Sequence, residues 1–152
     1  MKMPFAVIPL VLAILAPMGA TAAPEDALYA CEPYRGEVED ILQAEGVSPT
    51  YYYLMVAESR CRPRSVSTQG ARGLWQLMPA TARAYGCDSP DDLRCATSAA
   101  ARYILHLQET YRRFDDIIMA YNMGGRNYRK YGASREALGL VRAVHILMEA
   151  DK

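Results

Sequence analysis

A mainly α-helical single domain is the fold this sequence predicts, and three observations predict it. Apolar residues recur at three- and four-residue spacing in several segments, and helix start and stop residues bracket those segments. No stretch sustains the alternation of a strand. A length of 152 residues fits one domain, and four cysteines are available to staple it: Cys31, Cys61, Cys87 and Cys95.

The first 22 residues read as an export signal rather than as part of that fold. Lys2 supplies the positive start, residues 5–16 are apolar apart from Pro9, and Ala20-Thr21-Ala22 offers small residues to a signal peptidase. The apolar run is shorter than the roughly 20 residues that span a bilayer, so cleavage after Ala22 is expected, with no stable membrane anchor. That leaves residues 23–152 as the single mature domain, periplasmic or secreted. An even cysteine count in an exported chain favours two disulfides. Of the three possible pairings, Cys87–Cys95 would close a short loop, and Cys31–Cys61 would clamp an N-terminal helix to the segment after Glu58. A zinc site is disfavoured because no CxxC pair occurs and His106 and His145 lie far apart.

Residues 37–44 carry Val38, Ile41 and Leu42 at helical spacing, with Gly46 as the stop. Ser48 and Pro49 open a second helix through Leu54, Met55 and Val56 to about Ser59. Residues 60–73, with Pro63, Gly70 and Gly73, read as a long irregular loop, which a compact domain seldom keeps without a use for it. A short helix covers 79–85 and stops at Gly86, and a polar loop spans 88–95. The strongest helix is expected over 97–113, with Ala100, Tyr103, Ile104 and Leu107 on one face. Asp115 or Asp116 would cap a further helix ending at Asn122-Met123-Gly124-Gly125. Ser134 would cap the last one, whose expected face is Leu138, Val141, Val144 or His145, and Met148.

Charge excludes one class of function. The chain holds 17 basic and 17 acidic residues, a balance that makes no electrostatic case for nucleic acid or an anionic membrane surface.

Glu58 is the residue that draws chemistry. It sits at the C-terminal end of an apolar helix, facing the negative end of the helix dipole among neighbours that withhold water. Both effects disfavour the charged carboxylate and raise its pKa, the tuning a general acid near neutral pH requires. The alternative is a surface carboxylate paired with Arg60 or Arg62.

Glu58-Ser59 is followed by Pro63, Ser67, Gly70-Ala71-Arg72-Gly73-Leu74-Trp75-Gln76-Leu77-Met78-Pro79 and, farther on, Ala120-Tyr121-Asn122-Met123-Gly124. This ordered set, spanning residues 50–125, resembles the soluble lytic transglycosylases, a lysozyme-like family that cuts peptidoglycan. The resemblance implies a lysozyme-like helical domain with a catalytic cleft, stapled here by disulfides, and no cofactor or metal. It makes Glu58 the catalytic acid/base and Tyr121 the tyrosine whose hydroxyl bonds the catalytic carboxyl. Ser67, Gln76 and Met78 would line the sugar cleft, with Asn122 beside Tyr121, and Trp75 stands where the family has Met or Trp. Cys61 departs from the usual aromatic or aliphatic residue, and Ser65 from the usual Ala.

The implied reaction cleaves the MurNAc–GlcNAc β-1,4 bond with one carboxyl and closes a 1,6-anhydro ring. Asp115 and Asp116 are read as helix caps rather than as a second catalytic acid. A hydrolase of goose-type lysozyme character and a non-catalytic wall-binding component of a secretion apparatus are the alternatives. The implied partners are peptidoglycan glycan strands and an envelope-spanning secretion or conjugation machine. Residues 126–152 lie outside the specific match and are assigned only as a closing helix.

Overall fold

Helix α1 (Pro24–Ala44) starts with Pro24 in its first turn and Asp26 accepting the Ala23 N–H at 3.0 Å. The computed structural model describes residues 23–152, so the expected export signal and its cleavage site lie outside the described residues. The first helix begins well before the expected residue 37 and runs straight through Pro33. An interior proline costs about 3 kcal/mol. Burial offsets it: Leu28, Val38 and Leu42 form one apolar stripe, each worth about 1.5–3 kcal/mol, and Cys31 in the same stripe is bonded to Cys61.

Gly46 makes the expected stop with φ +83°. Ser48 caps a short 3-10 turn (Pro49–Tyr51), its Oγ accepting the Thr50 N–H, and the turn leads into α2 (Tyr52–Ser59). Tyr51, Tyr52, Leu54, Met55 and Val56 are all buried, so α2 is the central helix rather than a surface one. The chain from 60 to 78 is irregular as expected, pinched by single bridges from Arg72 to Val66 and to Leu77.

Helices α3 (Pro79–Ala84) and α4 (Leu93–Thr110) follow. The second of these begins four residues earlier than the expected 97, because Asp92 accepts the Cys95 N–H at 2.8 Å and caps it. The disulfide Cys87–Cys95 closes the loop before α4, and Cys31–Cys61 ties α1 to the turn after α2; both preferred pairings are the ones formed.

In α5 (Phe114–Met123) the cap position is Arg113, so the expected capping role of Asp115 or Asp116 is corrected. Both lie in the first turn, where the helix dipole favours them, and both carboxylates are engaged in side-chain contacts. Asp115 meets His145 Nε2 at 2.8 Å and Asp116 accepts the Tyr128 hydroxyl at 2.6 Å. A short helix with no sequence forecast, α6 (Gly125–Tyr131), comes next.

Ser134 caps α7 (Arg135–Ala150) as expected, accepting the Ala137 N–H. Its buried face is Ala137, Leu140, Val144 and Leu147. The expected stripe is therefore one position out of register at Leu138, Val141 and Met148 and coincides only at Val144, and Leu138 is exposed. Helix α7 packs on both α2 and α5, and so closes the end of the molecule where Glu58 sits.

Candidate active site

Glu58 is held at the last turn of α2 by backbone that few sequences adopt. The next two residues, Arg60 and Cys61, both have left-handed φ values of +48° and +54°. A non-glycine residue there costs of order 1–3 kcal/mol and persists only where its surroundings enforce it. The enforcement is visible: the Arg60 N–H donates to Val56 O, the Cys61 N–H donates to Ser59 Oγ at 3.1 Å, and Cys61 is bonded to α1. The disulfide acts as a covalent strap behind the turn that carries Glu58.

That turn aims Glu58 into a pocket, where Gln76, Leu77, Met78 and Thr81 form one wall and Tyr103, Tyr121, Asn122 and Gly124 the other. Neither Arg60 nor Arg62 pairs with it; the Arg62 side chain donates to Ser59 O instead. Its Oε2 is sealed from solvent and has no hydrogen-bond partner among the described residues, while the residue as a whole is half-buried and open to the cleft. Burial pushes its pKa up from 4.5 to about 8, and the like charge of Glu136 adds to the rise. A carboxyl so placed is largely protonated at neutral pH.

Gln76 presents its side chain from a second strained position, φ +46°. Its Nε2 donates to Ser65 Oγ at 2.8 Å and Gly73 O at 2.9 Å, which locks the amide. Ser65, where the family pattern has Ala, thus has a use as the brace for Gln76. Gly73 makes the close approach beneath: a Cβ there would lie 2.1 Å from Pro90 O, so the cleft loop and the Cys87–Cys95 loop touch backbone to backbone.

The opposite wall comes from α4 and α5. Asn122 is buried, and its Nδ2, like Glu58 Oε2, has no hydrogen-bond partner among the described residues. Unmet buried polar atoms cost about 1–3 kcal/mol each, and two facing one pocket mark it as shaped for a polar ligand.

Three expected assignments are corrected by geometry. The Tyr121 hydroxyl donates to Trp75 O at 2.9 Å, not to the Glu58 carboxyl. It stays close enough for the Glu58 charge to help raise its pKa well above the ordinary value, burial being the larger cause. Tyr121 is therefore a fixed neutral wall beside the carboxyl. Trp75 is fully buried, its Nε1 donating to Thr97 Oγ1 at 2.9 Å, so it offers no ring face to a sugar. Ser67 is buried and absent from the pocket lining; its Oγ accepts the N–H groups of Gln69 and Ala71 and shapes the loop.

Glu136, in the first turn of α7, is the neighbour sequence reasoning missed. Its only local signal, an acid two residues after a capping Ser, marks a helix start, and nothing in the spacing says that α7 folds back onto α2. Tyr103, expected only on the apolar face of its helix, also lines the pocket.

A protein called Transglycosylase from Enterobacteria phage PRD1 is 34% identical over 80 residues, 53% of this chain and 30% of that one. Membrane-bound lytic murein transglycosylase D of Escherichia coli K12 is 27% identical over 124 residues, 75% of this chain and 27% of its own length. The chain thus spans less than a third of either relative. The sequence model of the Transglycosylase SLT domain matches residues 39–140, more than half of the chain and all of the pocket just described, and the chain belongs to that family.

Proposed function

We propose that this protein is a peptidoglycan lytic transglycosylase that cleaves the MurNAc–GlcNAc β-1,4 bond with Glu58 as its single acid/base. The observation that carries the reading is one carboxyl, raised to a pKa of about 8 by burial, lining a pocket with an amide donor that lacks a partner among the described residues. Protonated Glu58 gives its proton to the glycosidic oxygen as the bond to the muramoyl anomeric carbon breaks. The N-acetyl group of the same sugar supports the positive charge left on that carbon. The Glu58 carboxylate then takes the proton of the muramoyl 6-hydroxyl, whose oxygen closes the 1,6-anhydro ring. The proton count balances: one is given, one is returned, and no water is consumed.

Two-carboxylate hydrolysis places its acids across the sugar, one of them ionised. Asp115 and Asp116 do not line the pocket. The like charge of Glu136 near Glu58 helps to hold the acid protonated, which serves the first step. The setting proposed for the reaction is the periplasm or cell exterior, after removal of residues 1–22, in service of an envelope-spanning secretion or conjugation machine that needs the wall opened locally.

Mass analysis of the soluble products from purified sacculi tests the reading. Anhydro-muramoyl ends, lighter than reducing ends by one water, are expected. Products ending only in reducing muramic acid would make the protein a hydrolase of goose-type lysozyme character, and the absence of any product would leave a wall-binding role.

A further inference from the structure

A row of aromatic rings leads away from the catalytic pocket. Tyr121 and Tyr103 have ring centroids 5.3 Å apart, Tyr103 and Tyr85 5.2 Å, and Tyr85 and His106 6.2 Å. At its far end lies a second cavity of about 270 Å³. Tyr85, Tyr103, His106 and Tyr111 line it together with Arg126 and Arg129 of α6. Tyr103 is common to both pockets, and the adjacent residues Gly124 and Gly125 line one each, so the two pockets adjoin.

The charge of this cavity is one-sided. Among the described residues its lining holds two guanidiniums and no carboxylate, and α6, with the sequence Gly-Arg-Asn-Tyr-Arg-Lys-Tyr, carries three cations and no acid. Glu109 approaches the rim, 3.6 Å from His106 Nδ1. Both arginines are exposed where they line the cavity. A guanidinium presents a planar fork of donors suited to a carboxylate. Nothing in the neutral backbone of a β-1,4 glycan matches it. The anionic groups of stem-bearing peptidoglycan are the carboxylates of the peptide stems that hang from muramic acid.

We propose that the Arg126–Arg129 cavity is a stem-peptide site, which binds a carboxylate of the peptide on a muramic acid held next to the catalytic pocket and makes the protein prefer stem-bearing strands to bare glycan. This rests on the peptidoglycan reading above and deepens it. Tyr85 and Tyr111 form the apolar sides that the peptide lies against, and Arg129 and Arg126 hold its charge.

The test measures binding with the Glu58→Gln variant, so that turnover plays no part. The probes are glycan strands carrying their peptide stems and the same strands stripped by an amidase, with the lactyl carboxylates that the amidase frees capped as methylamides so that the control strand is neutral. The expected result is about tenfold tighter binding of stem-bearing strands, a typical return for two charge-assisted contacts near the surface. That preference should shrink with added salt, fall close to one in Arg126→Ala/Arg129→Ala, and survive in part in Arg129→Lys. Equal affinity of the parent for both strands, or an undiminished preference in the double variant, overturns the stem site. The two readings fail separately. Cleavage of sacculi with no stem preference removes only the arginine site, and a stem preference with no product from sacculi removes only the transglycosylase.

Discussion

Two pairs of acids sit on neighbouring helices of this small domain and have opposite surroundings. Asp115 and Asp116, in the first turn of α5, each meet a side-chain partner, His145 and Tyr128, at the surface. Glu58, at the end of α2, is turned inward with its Oε2 lacking a hydrogen-bond partner among the described residues, and a nearby charge that acts on it is Glu136, another acid. Burial and like charge raise the Glu58 pKa to about 8. The difference teaches that an acid stays protonated near neutral pH when burial takes its water away and its charged neighbour is another acid.

The largest effect that could break this comparison is on turnover. Glu58→Gln should lower kcat on purified sacculi by at least about a thousandfold, the scale on which a sole general acid matters. Asp115→Asn and Asp116→Asn should stay within about threefold of the parent. Loss of activity in either aspartate variant with survival in Glu58→Gln would end the one-carboxylate mechanism.

Next in size is a stability effect of the opposite sign. The unfolded Glu58 ionises near 4.5, but the folded one only near 8, so the folded state forgoes ionisation throughout that interval. Stability therefore falls as pH rises from 4.5 to 8, by about 1.4 kcal/mol per unit. Glu58→Gln should be the more stable protein by about 3 kcal/mol at pH 7, and the gap should close near pH 4. Denaturant melts at both pH values measure it; a gap independent of pH would mean that ordinary packing, not ionisation, is at stake.

The smallest effect sharpens the role of Glu136. With Glu136→Gln the like charge is gone, so the Glu58 pKa falls and the loss of the protonated acid starts at lower pH. The alkaline limb of the kcat–pH profile should move toward acid, while activity at its optimum stays within about threefold. An unmoved limb would assign Glu136 to structure alone.

Much of this was legible in the sequence because it is local. Ser48 and Ser134 announce their helices by capping chemistry, Gly46 its stop by a positive φ, and Glu58 its pKa by the apolar residues just before it. Readings failed where a distant partner decides. Pro33 hides a helix that buried Leu28, Cys31 and Val38 sustain, and no spacing could say that Glu136 faces Glu58 across the α2–α7 contact. The one-residue error in the face of α7 arose because the small Ala137 is buried while the larger Leu138 points to water. Tyr121 lines the pocket, whereas Trp75 is buried behind it. Their side chains bond elsewhere because Thr97 and the Trp75 carbonyl, both supplied by the fold, compete for them.

Trp75 is the only tryptophan in the chain. Its indole is anchored on α4 through Thr97, while its own carbonyl receives the hydroxyl of Tyr121. One fluorophore is thus wired to both a core helix and the wall beside the carboxyl. Its emission can follow unfolding and the arrival of a glycan in a single unlabelled sample.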